Sequence, residues 1–214
     1  MSESNDNLSA DESTNDKSKS FEMRAGLTIA IFAAILAITD LFAGKWGDDE
    51  IKATNEKASA FMWYQAKSIK ETIIEGQRDL LKSLAESGAL QTEKQAAVDK
   101  HIDALSTSLV RYKKEKQEIL LGSASVGPEN WVQEVNGEKG KVIGALEWEA
   151  SVGQLGTAGD RFDYSTLFLQ LCLVMGAISL VLQQKRAQIL FYSLMLGLGI
   201  LGTGFSIFGF MAMS

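Results

Sequence analysis

The sequence predicts an all-α membrane protein, with three transmembrane helices and a helical, coiled-coil-like soluble insert between spans one and two. Three observations predict it. Apolar stretches long enough to cross hydrocarbon lie at 25–43, 164–182 and 189–213. A single Pro in 214 residues leaves almost nothing to break a helix. A heptad alternation runs through 98–119, well away from the apolar stretches. The 46% hydrophobic content conceals this division, because it averages a very polar half with a very apolar one.

Residues 1–20 hold one large hydrophobe, Leu8, among Ser, Asn, Asp and Glu. Such a segment cannot bury enough apolar surface to offset ordering, so a disordered polar tail is expected. The first span, 25–43, just meets the roughly 20 residues needed to cross about 30 Å of hydrocarbon. A cleaved signal peptide is the rival reading. It fits less well, because the preceding tail is long and net acidic where a signal n-region is short and basic. Asp40 falls near the far end of this span, where a carboxylate reaches the interface or caps. Trp46 suits the headgroup layer, and Asp48, Asp49 and Glu50 suit the first turn of a new helix.

The insert, 44–163, reads as helices at about 50–86 and 89–121, then a Gly-rich loop at 122–144. In the first helix Ile51, Ala58, Met62, Ile69, Ile73, Leu80 and Leu84 share one face, which is expected to be the buried one. In the second, Val98, Ile102, Leu105, Leu109, Tyr112, Lys116 and Ile119 alternate steps of four and three. Lys113, Lys114, Glu115 and Glu118 fill its outward positions. That pattern predicts either an antiparallel hairpin or an inter-chain bundle, against the plainer alternative of one amphipathic helix on a small core. Residues 122–144 hold the only Pro and five of the 19 Gly, with Asn136-Gly137 as a turn signal. A short hairpin fits there, though a loop needs fewer assumptions. Residues 145–160 form a Gly-dotted approach to the second span.

Tyr164–Leu182 and Ile189–Met213 are uncharged, and the short basic turn 183–188 makes them an antiparallel hairpin. Gly199, Gly202, Ser206 and Gly209 put a stripe of small residues along one side of the third span, where helices approach closely. Lys185 and Arg186 in the turn, with Lys17, Lys19 and Arg24 before span one, vote for the cytoplasmic side. That orientation places the N-terminal tail in the cytoplasm and the insert in the periplasm, in the inner membrane of a bacterium.

Searching for chemistry yields little. The net charge of −6 argues against nucleic acid. The Gly197–Gly202 run matches a dinucleotide fingerprint literally, but it sits inside an uncharged span with no strand before it. His101 is the only histidine, flanked by Lys100 and Ile102, and reads as a surface or seam-edge residue. The acid pairs Glu147/Glu149 and Asp160/Asp163 read as solvated faces rather than a hydrolase dyad. Cys172 reads as a small buried hydrophobe. No catalytic, cofactor-binding or metal-binding residue is expected, and no cofactor.

Two patches carry a family resemblance. One is Trp63-Tyr64-Gln65-Ala66-Lys67-Ser68-Ile69-Lys70; the other is Arg161-Phe162-Asp163-Tyr164 leading into Leu169-Gln170 before two hairpinned spans. Together they resemble an uncharacterised family of bacterial membrane proteins catalogued only as a domain of unknown function, over roughly residues 22–200. The Gly-rich 122–159 stretch departs from the charged helical segment which that family implies. The resemblance implies a bacterial membrane location and no assigned activity. Trp63, Tyr64, Gln65, Lys67, Ser68 and Lys70 form a candidate docking patch for a partner or a second copy, or equally a helix crossing with satisfied polar groups. The expected function is a non-enzymatic self-associating scaffold or accessory subunit, partnered by the lipid bilayer and by itself or another membrane protein. An oligomeric channel or transporter-associated subunit is the alternative, and a membrane-embedded enzyme a third.

Overall fold

The computed structural model describes the backbone of residues 3–88 and 91–212, with the side chains of 3–18 and of residue 92 outside the description. In chain order the elements are α1 (Glu3–Glu86), α2 (Thr92–Leu121), α3 (Ser123–Val126), a 3-10 turn (Pro128–Asn130), β1 (Glu134–Val135), β2 (Glu138–Lys139), α4 (Ala145–Val181) and α5 (Lys185–Met211). The fold is all-α, its described strands being one two-residue antiparallel hairpin. Helices α1, α4 and α5 are each long and apolar enough to cross a membrane.

Several expected boundaries move. The tail expected to be disordered is different in the structure, where α1 begins at Glu3; residues 1–2 lie outside the described residues. Neither Gly nor Pro occurs before residue 25, so once the apolar stretch is helical each preceding residue needs only propagation, not a new nucleus. α1 also continues past residue 43 to Glu86, where Gly88 at φ +69° stops it in the left-handed conformation that favours glycine. Residues 89–90 of the expected second helix and 213 of the third span lie outside the described residues. The approach 145–160 is not separate: α4 starts at Ala145 and runs unbroken to Val181. The turn between α4 and α5 shortens to residues 182–184.

The chain forms two compact units, one from Met1–Asp49 with Gln154–Ser214, the other from Glu50–Gly153. In the first, the buried positions of α4 are Ala158, Phe162, Ser165, Leu169, Cys172, Gly176 and Ser179, stepping by fours and threes. Those of α5 are Met195, Gly199, Gly202, Ser206 and Gly209, in the same rhythm. α1 adds Ala25, Phe32 and Thr39, seven apart. This spacing keeps one face of each helix on its neighbours over several turns. Large side chains fill the hollows over glycines: Phe32 over Gly199, Leu169 over Gly202, Phe162 over Gly209, and Met195 with Ile29 over Gly176. Each hollow brings helices close enough for extensive dispersion contact. Thr39 Oγ1 and Ser206 Oγ lie 3.1 Å apart, and Ser165 Oγ donates to the Gly202 carbonyl at 2.7 Å. Phe42, Trp46, Phe162 and Phe210 interlock with ring centroids 4.8–5.8 Å apart, so Trp46 packs on aromatics of all three helices. Asp40 accepts a hydrogen bond from Thr166 Oγ1 at 2.9 Å.

In the second unit α2 lies antiparallel along α1, with Glu115 beside Lys67 and Lys116 beside Glu71. With Phe61, Ser68 and Glu75 half-buried at its edge, the face of α1 that is not exposed is centred on Ala53, Lys57, Ala60, Tyr64, Lys67, Glu71, Ile74, Arg78, Leu81 and Ala85. Those residues also step by threes and fours, but they are not the expected ones. Ile51, Ala58, Met62, Ile69, Ile73, Leu80 and Leu84 are all exposed, the six larger ones by 42–64%. The apolar face therefore points outward, and a mixed polar face packs inward: Lys67 and Glu71 meet opposite charges on α2, Lys57 meets Glu149 of α4, and Arg78 meets Glu75 and Asp79 of α1 itself. The α2 seam falls where its spacing predicts, with Leu109 and Ile119 buried and the other five half-buried.

Candidate functional site

The middle of the α1–α2 contact is charged. Lys67 Nζ lies 2.5 Å from Glu115 Oε2, and Lys116 Nζ lies 2.5 Å from Glu71 Oε2. The Lys67 ammonium also stands over the Tyr112 ring at 5.7 Å, and Lys116 over the Tyr64 ring at 5.9 Å. A hydrogen bond to Glu71, opposed by partial burial and aided by the charges of Glu71, Tyr64 and Glu75, raises the Lys116 pKa above its ordinary value. Its ammonium stays protonated, which suits a fixed pairing group and not a general base. Crossed pairs of this kind add little net stability over apolar residues, but they fix which turn of α2 meets which turn of α1.

Glu115 and Glu118 are corrections to the outward set. Glu115 is 7% exposed and Glu118 is fully buried. Glu118 organises the segment 122–144, which is neither a plain loop nor a helix. Its carboxylate accepts from Ser123 Oγ and from the backbone N–H groups of Val132 and Gln133, each at 2.8 Å. Ser123 Oγ in turn accepts from the Val142 N–H at 3.0 Å, and Trp131 Nε1 donates to the Ser123 carbonyl at 2.7 Å. Asn136 and Gly137, at φ 54° and 81°, make the tight β1–β2 turn. Gly144 lies against the backbone of Leu121 and Gly122 so closely that a Cβ has no room. Its N–H is met at 2.8 Å by Glu147, three residues on, which caps the start of α4.

The six residues of the candidate docking patch do not share one surface. Tyr64, Lys67 and Ser68 are half-buried on the α2 side, Gln65 and Lys70 are exposed, and Trp63 faces the segment around Val142 and Trp148. Trp63 and Trp148 line a cavity of about 280 Å³ together with Glu56, Val135, Lys141 and Ile143. This falls just below the volume of pockets that enclose small ligands. The small stripe Gly199, Gly202, Ser206 and Gly209 is buried whole, against Phe32 and Thr39 of α1 and Ser165, Leu169 and Phe162 of α4.

Among the described residues no group of three or more His, Cys, Asp or Glu is placed to hold a metal ion, and no buried side-chain nitrogen or oxygen lacks a partner. His101 is exposed, and Cys172 is buried. Glu147 caps α4 while Glu149 pairs with Lys57 at 3.3 Å, so the two carboxylates have separate partners. The residues that sequence reasoning missed are Glu118, Ser123, Trp131 and Gly176. None announces itself, because a Glu beside other charges and one Gly in an apolar run are ordinary.

These features define an all-α protein with three apolar helices long enough to span a membrane and a helical insert of paired charges. The chain belongs to the family described as a domain of unknown function, DUF4337, whose model matches residues 21–212. No curated protein and no solved structure matches the chain.

Proposed function

We propose that this is a non-enzymatic, multi-pass protein of the bacterial inner membrane whose helical insert is an assembly module. The tail lies in the cytoplasm and the insert in the periplasm. The insert is a coiled-coil-like hairpin of α1 and α2 that holds a second copy of the chain or a membrane partner. The observation that carries this reading is the outward apolar face of α1 in a unit whose described buried side-chain polar atoms all have partners. A face of that kind marks interaction rather than chemistry. The lipid-facing role of α1, α4 and α5 rests on exposed hydrophobics on the sides of these helices turned away from one another, among them Leu27, Leu41, Val181 and Ile200. The orientation rests on Lys185 and Arg186 in the turn and Lys17, Lys19 and Arg24 before the first span.

Native mass measurement of the detergent-purified full chain, with recovery of co-purifying proteins, tests the assembly reading. An assembly or a stoichiometric partner is expected; a bare monomer contradicts it. Reporter fusions test the orientation. A periplasmic signal after residue 130 and a cytoplasmic one at Gln184 are expected, and a cytoplasmic signal at 130 overturns it.

A further inference from the structure

The outward face of α1 in the insert has a period that its inner face lacks. Ile51, Met62, Ile73 and Leu84 stand 11 residues apart, and Ala58, Ile69 and Leu80 form a second series 11 apart between them. Eleven residues in three turns is about 3.67 per turn, close to the 3.6 of a straight helix, so the stripe barely drifts around the axis. The inner face runs on threes and fours, the rhythm of a seven-residue repeat. One helix thus carries two superposed repeats, and only the seven-residue one is covered within the insert, by α2 at Lys67 and Glu71 and by Glu149 at Lys57.

The stripe is also free of charge. The positions three and four after each member of the first series are Thr54 and Asn55, Gln65 and Ala66, Gly76 and Gln77, all exposed and all neutral. Ten of the 34 residues from 51 to 84 are charged, yet none falls on this face. A face that meets only water has no reason to exclude charge. A lipid surface does not explain it either, because the neighbouring exposed positions Lys52, Glu56, Asp79 and Lys82 are charged.

We propose that the stripe is the contact between two copies of this chain, with their α1 helices side by side and parallel. The occupant must offer a neutral, apolar helix face of equal length and matching 11-residue period. The same stripe on a second copy offers that by construction, as a two-fold contact requires. Copies inserted the same way into one bilayer run parallel, which sets Ile73 of one copy opposite Ile73 of the other. At about 1.5 Å per residue the stripe is about 50 Å long, and with a helix width of about 10 Å it covers about 500 Å² on each copy. Two copies bury about 1,000 Å², the lower bound for a specific contact and short of the roughly 1,200–2,000 Å² of stable ones, so the three apolar helices would have to share in holding the pair. This inference rests on the proposed assembly role and names the occupant.

The test is cysteine cross-linking of the full chain in native membranes, on a Cys172→Ala background so that each variant has one thiol. Ile69→Cys and Ile73→Cys are expected to shift the band on a non-reducing gel to twice the chain mass after mild oxidation. Lys82→Cys and Lys113→Cys, exposed and away from the stripe, are expected to stay at the single-chain mass. Equal cross-linking at all four positions, or none at any, overturns the proposal. Linkage of Met62→Cys to Ile73→Cys in a mixed population, without linkage of either to itself, overturns the parallel arrangement. Native mass separates the two readings. An assembly that never cross-links through the stripe sinks the stripe alone, whereas a monomer sinks the assembly role with it.

Discussion

Where Phe32, Leu169 and Phe162 press against Gly199, Gly202 and Gly209, the interior is built mainly from size, a large side chain opposite no side chain. Where Lys67 and Lys116 meet Glu115 and Glu71, the interior is built from charge, and the hydrophobic side chains of α1 are left outside. The two units also expose hydrophobic residues differently. In the first they spread over the outside of three packed helices, the pattern on which the proposed membrane setting rests; in the second those of α1 line up on one face, the pattern on which the proposed contact rests. The distribution of exposed apolar residues, more than their number, distinguishes the two units.

That comparison breaks first, if it breaks, at Leu109, which is 3% exposed. Leu109→Asp loses the roughly 1.5–3 kcal/mol of burial and adds the desolvation of a charge, for a total of about 4 kcal/mol. Gln117→Asp, at an exposed position, is expected to change little. Chemical denaturation of the detergent-solubilised chain, followed by circular dichroism, compares the pair; matching curves would show that the α2 seam is no core.

Glu118→Ala comes next. It strands the buried N–H groups of Val132 and Gln133 and the Ser123 hydroxyl, at about 1–3 kcal/mol for a buried donor left unmet. A loss of about 3 kcal/mol is expected, together with a changed Trp131 environment visible in fluorescence. Unchanged stability and emission would mean that 122–144 is held some other way.

In the first unit, a Cβ at Gly202 falls 2.8 Å from Leu169 Cγ, while Gly204 has open space. Gly202→Ala is therefore expected to cost about 1–3 kcal/mol by overpacking, Gly202→Ile more, and Gly204→Ala close to nothing. Thermal stability in detergent reads the difference, and equal tolerance of Gly202→Ile and Gly204→Ala would remove the size-based account of that interior.

The smallest expected effect is a pH dependence. Lys116 has a folded pKa raised above its unfolded value, so the stability it contributes is fully present below the unfolded lysine pKa of about 10.4. That contribution is lost as pH rises through the folded pKa. Melting is expected to hold steady up to about pH 10 and to fall above it more steeply in wild type than in Lys116→Met. Parallel profiles would show that the Glu71 pair adds nothing.

Much of the fold is legible in the sequence for one physical reason: hydrocarbon length and helix period leave direct marks. The three apolar stretches, the α2 seam and the Asn136-Gly137 turn are all visible that way. The inner face of α1 is not, because it places Lys67 and Glu71 inside, and their acceptability depends on Glu115 and Lys116 some 45 residues away in sequence. A rule that sends apolar residues inward picks the wrong face when charges can pair across a hairpin. Glu118 escaped for the same reason, since its partners Val132 and Gln133 contribute backbone groups that leave no trace in residue type. Of the docking patch, the aromatic and basic composition was legible, but its division between the α2 side and the exposed side was not.

The most direct test of the assembly account is the native mass of the full chain in mild detergent, for wild type and for Ile69→Asp with Ile73→Asp. Both side chains are more than half exposed, so the double variant is expected to keep its helicity and melting behaviour. Wild type is expected at a multiple of the chain mass, and the double variant at the mass of one chain. A wild type that is monomeric without a partner, or a double variant that keeps the wild-type mass, contradicts the claim that the outward face of α1 holds copies together.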